Sequence, residues 1–400
     1  MFLKNRIGNY KFYYYIIGDI ISSFGTGMTM IGLNWFILEA SDSSFMVSLF
    51  MIVQLISGAV FSSLIGGLID YYKRRDVLIV SNFVRGITIF IVIILYLFTT
   101  NYYLLFILAV INGVGWTTYA SSSRALVQEI LSEKELRCGN SFVEISMQIG
   151  LFLASGASGI IYKYVGIVGI LTIDAITFFV SNIFLYKIKI DNRINKESKD
   201  GYIEKIKDGK KYAVDNKLIF TFGIFIFIPF VVTMASNVVL PEYVMISLNS
   251  NSVIFGITDM LYGVGACLAG VIITNTALKD GKSENPIYFY NIISMLALVF
   301  LYINKAIPPL LVAYLLFGLC NTSLRILLNS YIMTVVPKDN FGYVMSIWMA
   351  ISNILQGIAV ISIGWIISRV SANWGYVILS GIMLISLFLL FYFFNKIKKQ

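Results

Sequence analysis

The 400-residue chain contains no histidine. That removes Ser-His-Asp catalysis, histidine-ligated metals and histidine proton relays together. Cysteine is nearly as scarce. Cys138, Cys267 and Cys320 are odd in number and far apart, so they suggest neither a disulfide framework nor a metal site. Charged residues make up only 13%, where a soluble chain carries about 25%. No polar stretch is long enough to form a soluble domain of its own. "DGKSEN" holds the Gly-Lys-Ser tail of a phosphate loop, but Thr276 stands where that loop needs glycine, five residues before Gly281. Without a nucleotide-binding domain, the expected energy source is an ion gradient. No cofactor, no metal and no enzymatic activity are expected.

What the chain does have is apolar residues, 58% of the total, at a mean hydropathy of +0.82. A membrane-crossing helix needs ~20 of them in a run. Twelve runs qualify: 13–38, 45–69, 77–98, 103–126, 141–162, 167–187, 218–240, 253–275, 286–304, 308–334, 342–367 and 375–395. The fold class expected is an all-α membrane protein of twelve transmembrane helices. The basic start "MFLKNRIGNYKFYYYIIGDII" runs into apolar sequence with no cleavage signal and is expected to be an uncleaved first span.

The net charge of +9 is a topology signal, and no nucleic-acid partner is expected. Most of the 30 basic residues fall in the connections that share a side with the N-terminus. Only Lys163, Lys305 and Arg369 fall on the other side, and Arg85, Arg124 and Arg325 lie inside spans. Both termini are therefore expected in the cytoplasm. The longest polar stretch, residues 187–217, divides the spans six and six. It separates an N-terminal bundle, 1–186, from a C-terminal bundle, 218–400, and from Tyr202 its pattern suggests a surface helix, with a solvated linker as the alternative. "ILSEKEL" and "VVPKDNF" hold matching places in the two halves, roughly 205 residues apart, which suggests parallel repeats.

Several segments carry a more specific pattern. "GGLIDYYKRRD" joins the second and third spans, with Gly66, Asp70, Arg74 and Arg75 at its fixed positions. "SSFGTGMTMIGLNWFILEASDSS", "SSSRALVQEILSEKELRCGNS", "IKDGKKYAVDNKLI" and "VVLPEYV" follow in order. Together they resemble the major facilitator superfamily, and within it the macrolide-efflux-like branch of drug and metabolite exporters. Tyr71 stands where that family usually has Arg, and Lys73 where many members have Gly. The resemblance implies two pseudo-symmetric six-helix bundles, bacterial cytoplasmic-membrane localisation and export of a small amphiphilic molecule, in exchange for protons down their gradient, by a monomer among membrane lipids. It also implies a cytoplasmic gate at Gly66, Asp70, Arg74 and Arg75. There Asp70 would meet a helix start near Gly342, and the arginines would meet acids or lipid phosphates.

Ionisable residues inside spans cost at least ~2.5 kcal/mol unless paired or wet. With no histidine, only carboxylates can carry protons, and Asp19, Glu144 and Asp259 are the candidates. Asp19 leads. The alternative for Asp19 is a fixed ion pair with Arg85. Arg124 and Glu144 sit at matching depths and are equally readable as a structural pair. Polar stripes at helical spacing contain Ser23, Thr26 and Asn34 in span 1, and Asn112, Trp116 and Tyr119 in span 4. Gln148 in span 5, Arg325 in span 10, and Trp348, Asn353 and Gln356 in span 11 continue the set. These either line a substrate cavity or glue helices together. Pro229 should kink span 7. A lipid flippase on the same fold and a membrane subunit or sensor without its own transport cycle remain rival readings.

Overall fold

The structure, a computed structural model, describes residues 9–131, 133–189, 215–276, 284–336 and 338–397. These residues are almost wholly helical. In chain order the helices are α1 (Tyr10–Ser41), α2 (Ser44–Tyr71), α3 (Arg74–Thr99), α4 (Phe106–Ile130) and α5 (Glu133–Tyr186). They continue with α6 (Lys217–Phe225), α7 (Ile228–Glu242), α8 (Ser252–Thr276), α9 (Asn285–Ile303), α10 (Ile307–Val335), α11 (Lys338–Ile367) and α12 (Ala372–Ile397). The chain divides into two compact units, Met1–Ile194 and Asn195–Gln400. The linker residues 190–214 lie outside the described residues, and with them the expected surface helix.

Among the described residues, eleven helical segments are long and apolar enough to cross a membrane. One of them, Ile145–Tyr186, does so twice. α5 is 54 residues long, ~81 Å at 1.5 Å per residue, far more than a ~30 Å hydrocarbon layer needs. Gly166 interrupts it with φ 62°, ψ −166°, a conformation open to glycine. Contacts with α1 show the reversal. On the first limb Asp19 meets Ser146, Ser23 meets Gly150 and Gly27 meets Ala154, so both numbers rise together. On the second, Gly18 meets Ser181, Gly25 meets Thr177 and Gly32 meets Ile170, so one rises as the other falls. The first limb thus runs parallel to α1 and the second antiparallel, which gives twelve crossings.

The solvent of these helices is readable from α3. Its exposed face is Val80, Phe83, Val84, Ile87, Phe90 and Ile91, while Asn82 and Arg85 are turned inward. Apolar residues outside and polar ones inside are stable only in lipid. The protein is a multi-pass membrane protein.

The two units repeat one packing scheme. α2 packs on α4 as α8 packs on α10, and α3 packs on α4 as α9 packs on α10. The α2–α4 and α8–α10 crossings are so close that side chains are excluded. A Cβ on Gly113 would lie 2.0 Å from the Gln54 carbonyl oxygen, and one on Gly58 would lie 2.9 Å from the Gly113 carbonyl oxygen. In the other unit, a Cβ on Gly265 would lie 2.2 Å from the Leu315 carbonyl oxygen, and one on Gly318 would lie 2.1 Å from that of Tyr262. Gly58 to Gly265 is 207 residues and Gly113 to Gly318 is 205, so the repeat is fixed in three dimensions by paired glycines.

Span 7 breaks where proline predicts. α6 ends at Phe225 and α7 begins at Ile228 with Pro229 in its first turn. Pro229 has no N–H for the Phe225 carbonyl and its ring crowds that turn. A second irregularity, the π-turn Tyr243–Ser247, follows Pro241 at the other end.

Candidate functional site in the N-terminal unit

Asp19 lies nine residues past the first residue of α1, ~14 Å along the axis, and is only 4% exposed. The Tyr119 hydroxyl of α4 donates to its Oδ1 at 2.5 Å. The Ser146 hydroxyl of α5 donates to its Oδ2. That same hydroxyl has a second acceptor, the Val143 carbonyl, at 2.8 Å. One carboxyl group therefore ties three helices together through groups that can each re-orient. Tyr119 leads outward to Trp116, whose exposed ring lies 5.9 Å away, centroid to centroid.

The small residues of α1 and α5 make this possible. Asp19, Ser23 and Gly27 form one ridge at four-residue spacing, and Ser146, Gly150, Ala154 and Ser158 form the facing one. Small side chains let the backbones approach until Ser158 Oγ reaches the Met28 carbonyl at 3.1 Å.

Arg85 does not pair with Asp19. Its Nη2 donates to Thr26 Oγ1 and Asn112 Oδ1, both at 3.2 Å. Its guanidinium lies 4.1 Å from the centre of the Phe178 ring. Its charge is felt by Asp174, which is wholly buried on the second limb of α5 facing Thr29 and Thr177. The alternative expected for Asp19, pairing with Arg85, is thus not formed. Arg85 instead lies near enough to Asp174 to act on it through space, with no nitrogen-to-oxygen contact within 4.0 Å between them and no hydrogen-bond partner on either Asp174 carboxylate oxygen. Removing one charge leaves the other without its counter-charge. Arg85→Met alone is expected to destabilise the protein by about 1–3 kcal/mol, since it also leaves Thr26 and Asn112 without their donor. Adding Asp174→Leu should recover part of that loss, read as thermal unfolding midpoints in detergent.

The comparisons with known proteins fit this architecture. The sequence profile of the Major Facilitator Superfamily matches residues 15–238 and 222–400. The chain belongs to the Major Facilitator Superfamily. Macrolide efflux protein A of Streptococcus pyogenes is 19% identical over 406 residues, covering 98% of each chain. An uncharacterized MFS-type transporter of Bacillus subtilis, YkuC, is 24% identical over 237 residues, covering 56% of this chain and 54% of that one. Among solved structures, the nucleoside transporter NupG superposes with a TM-score of 0.76 at 12% identity over 96% of this chain and all of that one. A bacterial homolog of the human lysosomal transporter Spinster gives 0.71 at 10% identity, over 96% of this chain and 95% of that one. These structural likenesses concern the fold.

In this major facilitator chain the candidate cavity residues separate into groups. Ser23 and Asn34 are buried in α1, Thr26 and Asn112 are occupied by Arg85, and Tyr119 is bound to Asp19. Trp116, Gln148 and Asn353 are exposed, and Gln356 donates to Ser352 Oγ at 3.0 Å. Trp348 needs correction. It is fully buried, its Nε1 donates to the Phe220 carbonyl at 2.8 Å, and a Cβ on Gly223 would strike its ring at 2.0 Å. It fills the gap between α6 and α11 and offers no face to a substrate. Indole is bulky enough to wedge beside a glycine and needs a hydrogen-bond acceptor when buried; both are met here.

Of the gate residues, the side chains of Gly66 and Asp70 lie outside the described residues, as do those of Arg124 and Glu144. Arg74 Nη1 pairs with Glu129 Oε1 of α4 at 2.8 Å. Arg75 pairs with Asp76 at 2.6 Å and donates to the Ile188 carbonyl at 2.8 Å. Both arginines thus have partners inside the N-terminal unit. Asp259 is half-buried on α8, within electrostatic reach of the Tyr314 hydroxyl. Two buried groups escaped the sequence candidates. Ser146 is hidden between the more polar Glu144 and Gln148, although the four-residue ridge of small residues marks it. Glu242, 4% exposed, follows Pro241 at the span 7 exit and reads there as a loop residue.

Proposed function

We propose that this chain is a secondary transporter of a bacterial cytoplasmic membrane, with both termini inside. It exports a small amphiphilic molecule by alternating access, in exchange for protons. The buried Asp19 with its two hydroxyl partners carries the reading. The name of the full-length streptococcal relative, macrolide efflux protein A, supports export of an amphiphile.

The chemistry follows from donor and acceptor counts. An ionised carboxylate accepts only, so it can hold both the Tyr119 and Ser146 protons. A neutral Asp19 carries a proton of its own. It can then donate to Ser146 Oγ while the Ser146 proton turns to the Val143 carbonyl. Hydrogen bonds to a charged group are worth about 1.5–3 kcal/mol. Loading and unloading a proton thus changes how firmly α1 holds α4 and α5 by an amount comparable to the gap between two conformations. Substrate binding favouring the ionised form in one state and release favouring the neutral form in the other would complete the exchange.

Bacterial cells expressing the chain test this. They should keep ethidium or anilinonaphthalene sulfonate out better than cells with an empty vector, and a protonophore should abolish the difference. Equal ethidium accumulation, together with equal accumulation of anilinonaphthalene sulfonate, would remove the export reading.

A further inference from the structure

Arg325 sits on α10, ten residues before its end at Val335, ~15 Å along the axis, inside the apolar span Ile307–Asn329. It does not face lipid. At 100° per residue it lies about 180° from the exposed Leu316 and about 140° from the exposed Val312. Gly318, Asn321, Thr322 and Asn329 share its side of the helix.

That side is only partly satisfied. The guanidinium lies 3.7 Å from the centre of the Phe230 ring of α7. Among the described residues, no carboxylate lies within 4.0 Å of it, Asp259 of α8 included. Asn321, 0% exposed, spends its amide N–H groups on the Pro229 carbonyl at 3.2 Å and on Thr233 Oγ1 at 2.6 Å. Its Oδ1, with Thr322 Oγ1 and Asn329 Oδ1, is buried without a partner in the structure. A fixed, always-charged fork therefore stands beside acceptors that it does not satisfy. An unpaired charge inside the membrane is costly, which makes an intramembrane arginine without a carboxylate a candidate for a functional role.

We propose that Arg325 and this face of α10 bind the anionic group of the transported molecule. The substrate is then an amphiphilic acid, not an amine. The acid accepts from Arg325, and Phe230 holds the guanidinium plane in place. The word "transported" rests on the export reading above; the binding claim is tested independently of it.

The experiment uses the full chain in phosphatidylcholine nanodiscs, with empty nanodiscs subtracted. Equilibrium binding is measured for cholate and laurate, each against its uncharged methyl ester, and for erythromycin. At least one acid should bind about tenfold or more tightly than its ester, the loss expected on removing a hydrogen bond to a charged group. Arg325→Gln should abolish that preference and leave ester binding unchanged. If Arg325→Gln does not fold, Arg325→Lys serves instead, because a point charge without the fork should weaken the acid and spare the ester. Equal affinities for acid and ester in both pairs would overturn the inference. So would an acid preference that survives the substitution, or tighter binding of erythromycin than of either acid. Acid binding through Arg325 without movement across proteoliposomes keeps the inference and removes the export reading. Proton-driven movement of ethidium with no acid preference does the reverse.

Discussion

Asp19→Asn is expected to abolish proton-driven export while leaving substrate binding within a few-fold of the native chain. The amide keeps the size of the side chain, and its Oδ1 can still accept from Tyr119. Its nitrogen donates where the carboxylate accepted, so the Ser146 hydroxyl turns to the Val143 carbonyl and stays there. The variant is thereby locked in the arrangement of the proton-loaded state. Substrate affinity should lose its dependence on pH, and stability should change little, because a neutral amide in a buried, hydrogen-bonded place avoids desolvating a charge. Binding at several pH values and efflux from proteoliposomes separate these effects. Native rates of gradient-driven efflux in Asp19→Asn would move the proton to Asp259 or Glu144.

Gly318→Ala is expected to cost ~3 kcal/mol or more of stability and to reduce folded yield sharply. The added methyl would lie 2.1 Å from the Tyr262 carbonyl oxygen, and backbone on a packed helix cannot retreat as a flexible side chain can. Gly381→Ala in α12 is the control. It meets nothing within 4 Å, so it should be neutral or stabilising by up to ~1 kcal/mol, since alanine favours a helix over glycine. Thermal unfolding of the two variants side by side reads the difference. Equal midpoints would mean that the α8–α10 crossing is looser than described.

The spans were legible in sequence because lipid leaves few options. Twenty apolar residues with satisfied backbone must be helical, and the expected ends agree with α1 to α4 and α8 to α12 to within a few residues. The kink at Pro229 was equally legible, because it depends on one residue's missing N–H. So was the reversal near Gly166: the expected spans stop at 162 and restart at 167, with Lys163 and Gly166 in the gap, and only the making of that turn by one positive-φ glycine was not readable. The site divides the same way. Asp19 could be singled out as a charge on a polar face, but its partners are 100 and 127 residues away, supplied by how α4 and α5 lie on α1. Trp348 shows the opposite error. An indole on a polar stripe resembles a binding surface, and only its wedge against Gly223 reveals packing.

Proton counter-flow tests the central claim most directly. Proteoliposomes containing the purified chain are loaded with ethidium or with anilinonaphthalene sulfonate and a trapped pH indicator, with no pH difference imposed at the start. Neither probe can carry a proton across by itself. As one of the two leaves down its own gradient, the lumen should acidify with the native chain and should not with Asp19→Asn. Exit of the probe with no change in lumenal pH, or equal acidification in both proteins, would contradict the account.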